Sequence, residues 1–380
     1  MNLLFILFFA FNIHAWSPAF TNRWSKTNSL YPQKIAGAEF ATFWGGLRRA
    51  IYLSHHKGKV VDLKPRDFKS EIPVYLSFSK QKKDLVLFYP GVFGLADGAV
   101  TPVNIDVIEK KNLHLAVIPN ITSSPYQLAI KKSTLDPFLQ EASNQQNIFE
   151  KIIESVGREN IAKIHIIGES LGCFQVMTAV TENSFKSHEI SSITLMWPPL
   201  YLDLAIKRFD QLISKSLFNL DRCSLWWKWP SIVWETKFNN LPDLSFENKA
   251  CLGSLVVGEV FVRAIKKNAQ EILKRDHSIP SNFSDFTSII MPEIGKLLTK
   301  KDERLSLFYQ LKKNPSLHSK LFFISSKDDF LNVKSEWELM LLSFPHLVQN
   351  TFLFDWGGHS GPVGLDGLFE SIINERLNGY

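Results

Sequence analysis

Three side chains in this 380-residue chain have the types and surroundings for acyl-transfer chemistry: Ser170, Asp329 and His359. Ser170 is the centre of Gly168-Glu169-Ser170-Leu171-Gly172, which follows an apolar run holding Ile164, Ile166 and Ile167 and leads straight into a helix-compatible stretch. Strand, sharp turn, helix is the order of a nucleophile elbow. The serine is forced into a strained backbone region, and glycine two places before and after it removes Cβ atoms that would collide with the flanking elements. A serine hydroxyl is too weak an acid to attack a carbonyl at neutral pH unless a base takes its proton. A neutral histidine can do so, and a carboxylate on the other ring nitrogen fixes its tautomer. His359, in Gly357-Gly358-His359-Ser360-Gly361, is the candidate base. Asp329, in Lys327-Asp328-Asp329-Phe330, is the candidate acid, with Asp328 and Asp203 as alternatives. The backbone N–H of Leu171, at the helix start, is expected to face a developing oxyanion, and a second N–H is expected from Val92 or Phe93 in Pro90-Gly91-Val92-Phe93-Gly94.

These residues need a scaffold that brings the ends of distant segments together. Short apolar runs at 85–89, 113–118, 161–167, 193–197, 321–325 and 351–354 read as buried strands. Ile148, Phe149, Ile152, Ile153 and Val156 mark a helix face at 3.6-residue spacing before the elbow strand, and a terminal helix is expected over about residues 366–377. Strands alternating with amphipathic helices predict an α/β fold with a mostly parallel central sheet flanked by helices. Residues 59–63 and 74–79, punctuated by Pro65 and Pro73, read as a hairpin or edge strands, and 43–53 as a helix. Between 200 and 317 the strand rhythm stops. That helical, aromatic stretch predicts a cap inserted above the serine, with core on either side at 16–199 and 318–380. Its Trp226, Trp227, Trp229 and Trp234 fit first of all packing of the cap onto the core, with an acyl site or a lipid surface as the alternative readings.

Composition argues for an ordinary globular protein, with 45% hydrophobic and 21% charged residues. The net charge of +6 is scattered rather than gathered into a basic stripe with interleaved aromatics, so no nucleic-acid partner is expected. Residues 3–13 form an apolar core too short for a membrane span, followed by Ile13-His14-Ala15, and read as a signal peptide over residues 1–15. Export to a periplasmic or extracellular space is the expectation, with an uncleaved amino-terminal anchor as the second reading. Three cysteines make no disulfide framework: Cys173 reads as a small buried residue, while Cys223 and Cys251 could pair. His55-His56 has no companion ligand at metal spacing and reads as a solvated loop pair.

From about residue 85 to 377 the chain resembles the α/β-hydrolase superfamily, and within it most closely the YheT-like hydrolases. The resemblance is carried by GESLG, by Pro198-Pro199-Leu200, by FSDFTSIIMPEIG, by SSKDDF and by GGHSG. It implies Ser170 as nucleophile, Asp329 as acid and His359 as base, esterase or lipase activity on an acyl ester, and no metal or organic cofactor. Three places differ from that pattern: Pro90-Gly91 stands for the usual His-Gly, Phe330 for a proline, and residues 120–125 lack an Arg-Gly pair. The expected substrate is a small-molecule or lipid acyl ester, with peripheral membrane contact through the cap. An acyltransferase with the same triad and a non-catalytic binding protein on this fold are the rival readings.

Overall fold

The computed structural model describes residues 16, 20, 21, 23, 58–95, 111–131, 135–182, 190–220, 261–274, 279–355, 358, 359 and 367–377. The proline-punctuated pieces form β1 (Lys59–Leu63) and β2 (Ile72–Ser77), an antiparallel pair at one edge of the sheet. β2 also runs antiparallel to β4 (His114–Val117). From there the sheet is parallel, through β3 (Lys83–Tyr89), β5 (Ile161–Glu169), β6 (Ile190–Met196), β7 (Leu321–Ser326) and β8 (Thr351–Phe354). The order across the described sheet is β1-β2-β4-β3-β5-β6-β7-β8.

A parallel strand covered on both faces has no side for water, which is why these runs are apolar almost throughout. All six residues of β7 and the last five of β3 are buried. Successive side chains of β3 serve the two faces in turn. Leu85, Leu87 and Tyr89 join a core with α2 (Pro137–Val156) and α3 (Leu171–Thr181), while Phe88 meets Phe369 of α10 (Leu368–Leu377) edge-on at 6.2 Å. α2 begins at Asp136, whose carboxylate accepts the Phe138 N–H, and buries Ile148, Phe149, Ile152, Ile153 and Val156 as their spacing requires. On the outer face Trp16 stacks on Phe20 at 4.3 Å, donates its indole N–H to the Asn350 carbonyl, and lies under the Arg376 guanidinium.

α1 (Ser124–Ala129) follows β4, and α9 (Lys334–Ser343) lies between β7 and β8. Between β6 and β7 the described residues are helical: α4 (Leu202–Leu220), α5 (Phe261–Leu273), α6 (Phe283–Ile290), α7 (Pro292–Lys300) and α8 (Leu307–Lys313). The two ends of this segment are fastened where it leaves and rejoins the core, by the Leu307 N–H on the Leu200 carbonyl and a bridge between Tyr201 and Ser306. The leader at 1–15, the expected helix at 43–53, His55, His56, the four clustered tryptophans, Cys223 and Cys251 lie outside the described residues. No helix among the described residues is long and apolar enough to cross a membrane.

Because β3, β5, β6, β7 and β8 are parallel, their carboxyl ends share one edge. β4 and β5 lie on opposite sides of β3, so the chain reverses its direction of sheet growth there and leaves a crevice at the carboxyl ends, where open α/β sheets receive ligands. The segments 90–94, 170–172, 197–200, 327–332 and 355–359 all begin at that edge.

Candidate active site

Ser170 occupies the turn between β5 and α3 with φ 52° and ψ −122°, a conformation that L-residues rarely adopt and that costs on the order of 1–3 kcal/mol. Its N–H donates to the Met196 carbonyl on β6 at 2.8 Å, and its own carbonyl accepts the Cys173 N–H at 2.9 Å. The two flanking glycines are needed because backbone approaches too closely for a side chain. A Cβ on Gly168 would lie 2.9 Å from Cys173 Cα, and one on Gly172 would press into the Tyr89 carbonyl oxygen and lie 2.6 Å from that of Pro90. The second clash is with the neighbouring strand end rather than with the elbow's own strand or helix.

Ser170 Oγ donates to His359 Nε2 at 2.7 Å, and His359 Nδ1 lies 3.1 Å and 3.2 Å from the two Asp329 carboxylate oxygens. Asp329 and His359 are both buried, the acid at 3% exposure. The structure thus brings together three residues from the ends of β5, β7 and β8. Asp328, next to the acid, faces elsewhere: its carboxylate accepts the Gly358 N–H at 2.8 Å and fastens the histidine's loop. Asp203 sits in the first turn of α4.

Asp329 is itself held. Oδ1 accepts the Leu331 N–H at 2.9 Å, and Oδ2 accepts Asn332 Nδ2 at 3.1 Å. Phe330, where the related pattern has proline, places its ring 5.6 Å from the His359 ring. Cys173 lies one turn into α3, but burial pushes its thiol well above the usual range, so it stays protonated beside the serine.

The loop after β3 lies against Ser170: a Cβ on Gly91 would be 3.3 Å from Ser170 Cβ. The two donors expected from this loop fare differently. The Phe93 N–H is given to Thr122 Oγ1 at 2.8 Å, which corrects the expectation that it could serve an oxyanion: a donor already paired inside the protein is not free to do so. Among the described residues the N–H groups of Val92 and Leu171 have no protein acceptor. Thr122 hands its own hydroxyl proton to Asn120 Oδ1, and Asn120 Nδ2 donates to the Pro90 carbonyl at 2.9 Å, so residues 120–122 clamp both ends of the loop. Phe93 has φ 57°, and its ring packs edge-on against Phe283 at 5.9 Å and Phe286 at 5.1 Å on α6.

No family model matches this chain, and no curated protein does. Among solved structures it is similar to an esterase from Pyrococcus furiosus, at 15% identity over 85% of this chain and 91% of that one, with a TM-score of 0.48. It is also similar to a carboxylesterase from Bacillus subtilis, at 11% identity over 90% and 99% of the two chains, TM-score 0.48. A hyperthermophilic esterase from Pyrobaculum calidifontis matches at 10% identity over 96% and 100%, TM-score 0.46. The sheet order, the helices on both faces and the strained serine turn make this an α/β-hydrolase fold.

Sequence reasoning missed Asn120, Thr122 and Asn332. Each is an ordinary polar residue with at least one partner tens of positions away, from 29 between Phe93 and Thr122 to 134 between Pro198 and Asn332. Only the departure at 120–125 signalled that this segment treats the loop after β3 in its own way. Among the described residues no group of histidine, cysteine and carboxylate side chains is arranged to hold a metal ion.

Proposed function

We propose that the protein is a serine hydrolase that cleaves a carboxylic ester through an acyl-serine intermediate. One observation carries the reading: the continuous hydrogen-bonded line from Asp329 through His359 to the hydroxyl of Ser170, held on a strained turn at the carboxyl edge of the sheet. His359 Nε2 accepts the Ser170 proton as Oγ attacks the ester carbon. The tetrahedral oxygen draws on the free N–H groups of Leu171 and Val92. Collapse expels the alcohol, which takes the proton from His359, and leaves Ser170 acylated. Water then repeats the sequence, with His359 as base, and releases the acid. Asp329 holds the Nδ1 proton throughout and offsets the charge of the imidazolium.

The placement nearest the YheT-like branch rests on the five sequence motifs alone. Export rests on the leader and lipid contact on the clustered tryptophans; cell fractionation and vesicle flotation check these two parts of the proposal. The chemistry is tested by fluorophosphonate labelling of wild type beside Ser170→Ala, read by intact mass. One adduct on wild type and none on the variant is the expected result, and an adduct on the folded variant sinks the assignment. A p-nitrophenyl ester series then reports the preferred acyl length. Product analysis with and without an added alcohol separates hydrolysis from acyl transfer.

A further inference from the structure

We infer that Asn332 is a positioning residue for this reaction, whose side-chain amide fixes the Asp329 carboxylate and thereby sets the basicity of His359. The inference rests on the triad reading above. Asn332 is fully buried, at 0% exposure. Its Nδ2 donates to Asp329 Oδ2 at 3.1 Å and to the Pro198 carbonyl at 2.9 Å, and its Oδ1 accepts the Leu200 N–H at 2.8 Å. The orientation of the amide is dictated by its partners, because the nitrogen faces two acceptors and the oxygen faces a donor. A buried amide so fully engaged cannot rotate without orphaning several groups at once.

Two consequences follow for the acid. With Leu331 N–H on Oδ1 and Asn332 on Oδ2, each carboxylate oxygen has a donor besides His359, so the plane of the carboxylate is fixed relative to the imidazole. A hydrogen bond to the charged carboxylate also spreads its negative charge, so losing the amide should strengthen the acid's pull on an imidazolium. Leu200 and Pro198 belong to the stem from which the helical segment leaves the core, so the same amide fastens the acid to that stem.

Other charged groups face this corner. Asp328 accepts the Gly358 N–H. Arg208 pairs with both oxygens of Glu336, donates to the Leu331 carbonyl, and feels the Asp329 charge. Replacing Asn332 changes none of these ionisable groups, so a moved titration reports the lost amide.

The test compares wild type with Asn332→Leu, which fills the space without a donor, and Asn332→Ala. Each is measured for p-nitrophenyl acetate hydrolysis from pH 5 to 9, with thermal unfolding as a folding control. The expected result is a fall in kcat of about tenfold with KM nearly unchanged, and an acid limb of kcat/KM moved up by about half a pH unit. A structural amide alone would lower stability and leave the limb where it is. Wild-type labelling and turnover with limbs unmoved in the folded variants overturn this inference and spare the triad. Failure of both variants to fold would assign Asn332 to stability and overturn it equally. A wild type that neither labels nor turns over removes the triad reading first.

Discussion

The acid of the proposed triad is chosen by what each neighbouring carboxylate touches, not by its place in the sequence. Asp329 meets the imidazole, while Asp328 points to the Gly358 N–H. Asp329→Asn should therefore lower kcat by roughly 10³–10⁴-fold by stabilising the wrong histidine tautomer. Asp328→Asn keeps an acceptor for Gly358 and should cost less than about tenfold; steady-state kinetics on the two variants checks the assignment, and the reverse ranking would move the acid to Asp328. Thr122→Val should free the Phe93 N–H inside the protein, lowering stability by about 1–3 kcal/mol. It should also lower kcat more than KM is raised, because the loop that carries Val92 loses its clamp. Residue types alone do not make such a site. Ser192 Oγ lies 2.8 Å from His165 Nδ1, and His165 Nε2 lies 3.4 Å from Asp84 Oδ2, a second serine, histidine and aspartate in line. That serine is buried in mid-strand on β6, with no strained turn to present its hydroxyl.

α4 connects the two halves of the site at the level of whole elements. Arg208 on this helix grips Glu336 and the Leu331 carbonyl behind the acid loop. Two residues on, Asp210 accepts the N–H groups of Phe283 and Ser284 and the Ser284 hydroxyl, meeting the unpaired donors at the start of α6. α6 in turn holds Phe93 between Phe283 and Phe286. Asp210→Ala should lower stability by about 1–3 kcal/mol and, by loosening α6, reduce turnover while leaving phosphonate labelling at Ser170 intact. Thermal unfolding and kcat on one preparation check both parts. The strands at 85–89 and 321–325 are legible because a strand buried on both faces must be apolar along its length, and the edge strand at 351–354 is legible from the alternation of buried Phe352 and Phe354 with half-buried neighbours. β6 begins at Ile190, ahead of the expected 193, because polar Ser192 is satisfied by His165 and so hides the start of the run.

For the molecule as a whole, pH should act on stability through a group outside the triad. Glu141 on α2 is buried, accepts the Tyr126 hydroxyl proton at 2.7 Å and Gln145 Nε2 at 2.8 Å, and burial pushes its carboxyl up to about 7. Below its unfolded value it is protonated in both states and costs nothing. As pH rises from about 4.5 to about 7, the unfolded chain ionises while the folded one stays protonated, so stability falls across that window by about 3 kcal/mol and is level above it. Glu141→Gln should flatten this slope, raising the melting temperature at pH 8 relative to wild type more than at pH 5; an unchanged slope would mean that the group ionises freely in the fold. The sequence by itself determined the fold class, the elbow around Ser170 and the order of serine, acid and histidine. Those follow from local causes: apolar runs, glycines where backbone crowds, and turn residues at strand ends. Tertiary structure alone decided which aspartate meets His359, that the Phe93 N–H is spent on Thr122, and that Asn332 holds the acid. The first two depend on hydrogen bonds between segments far apart in the chain, and Asn332, three residues from the acid, is aimed by Pro198 and Leu200, 134 and 132 positions away; neither composition nor periodicity records which distant donor will reach which acceptor.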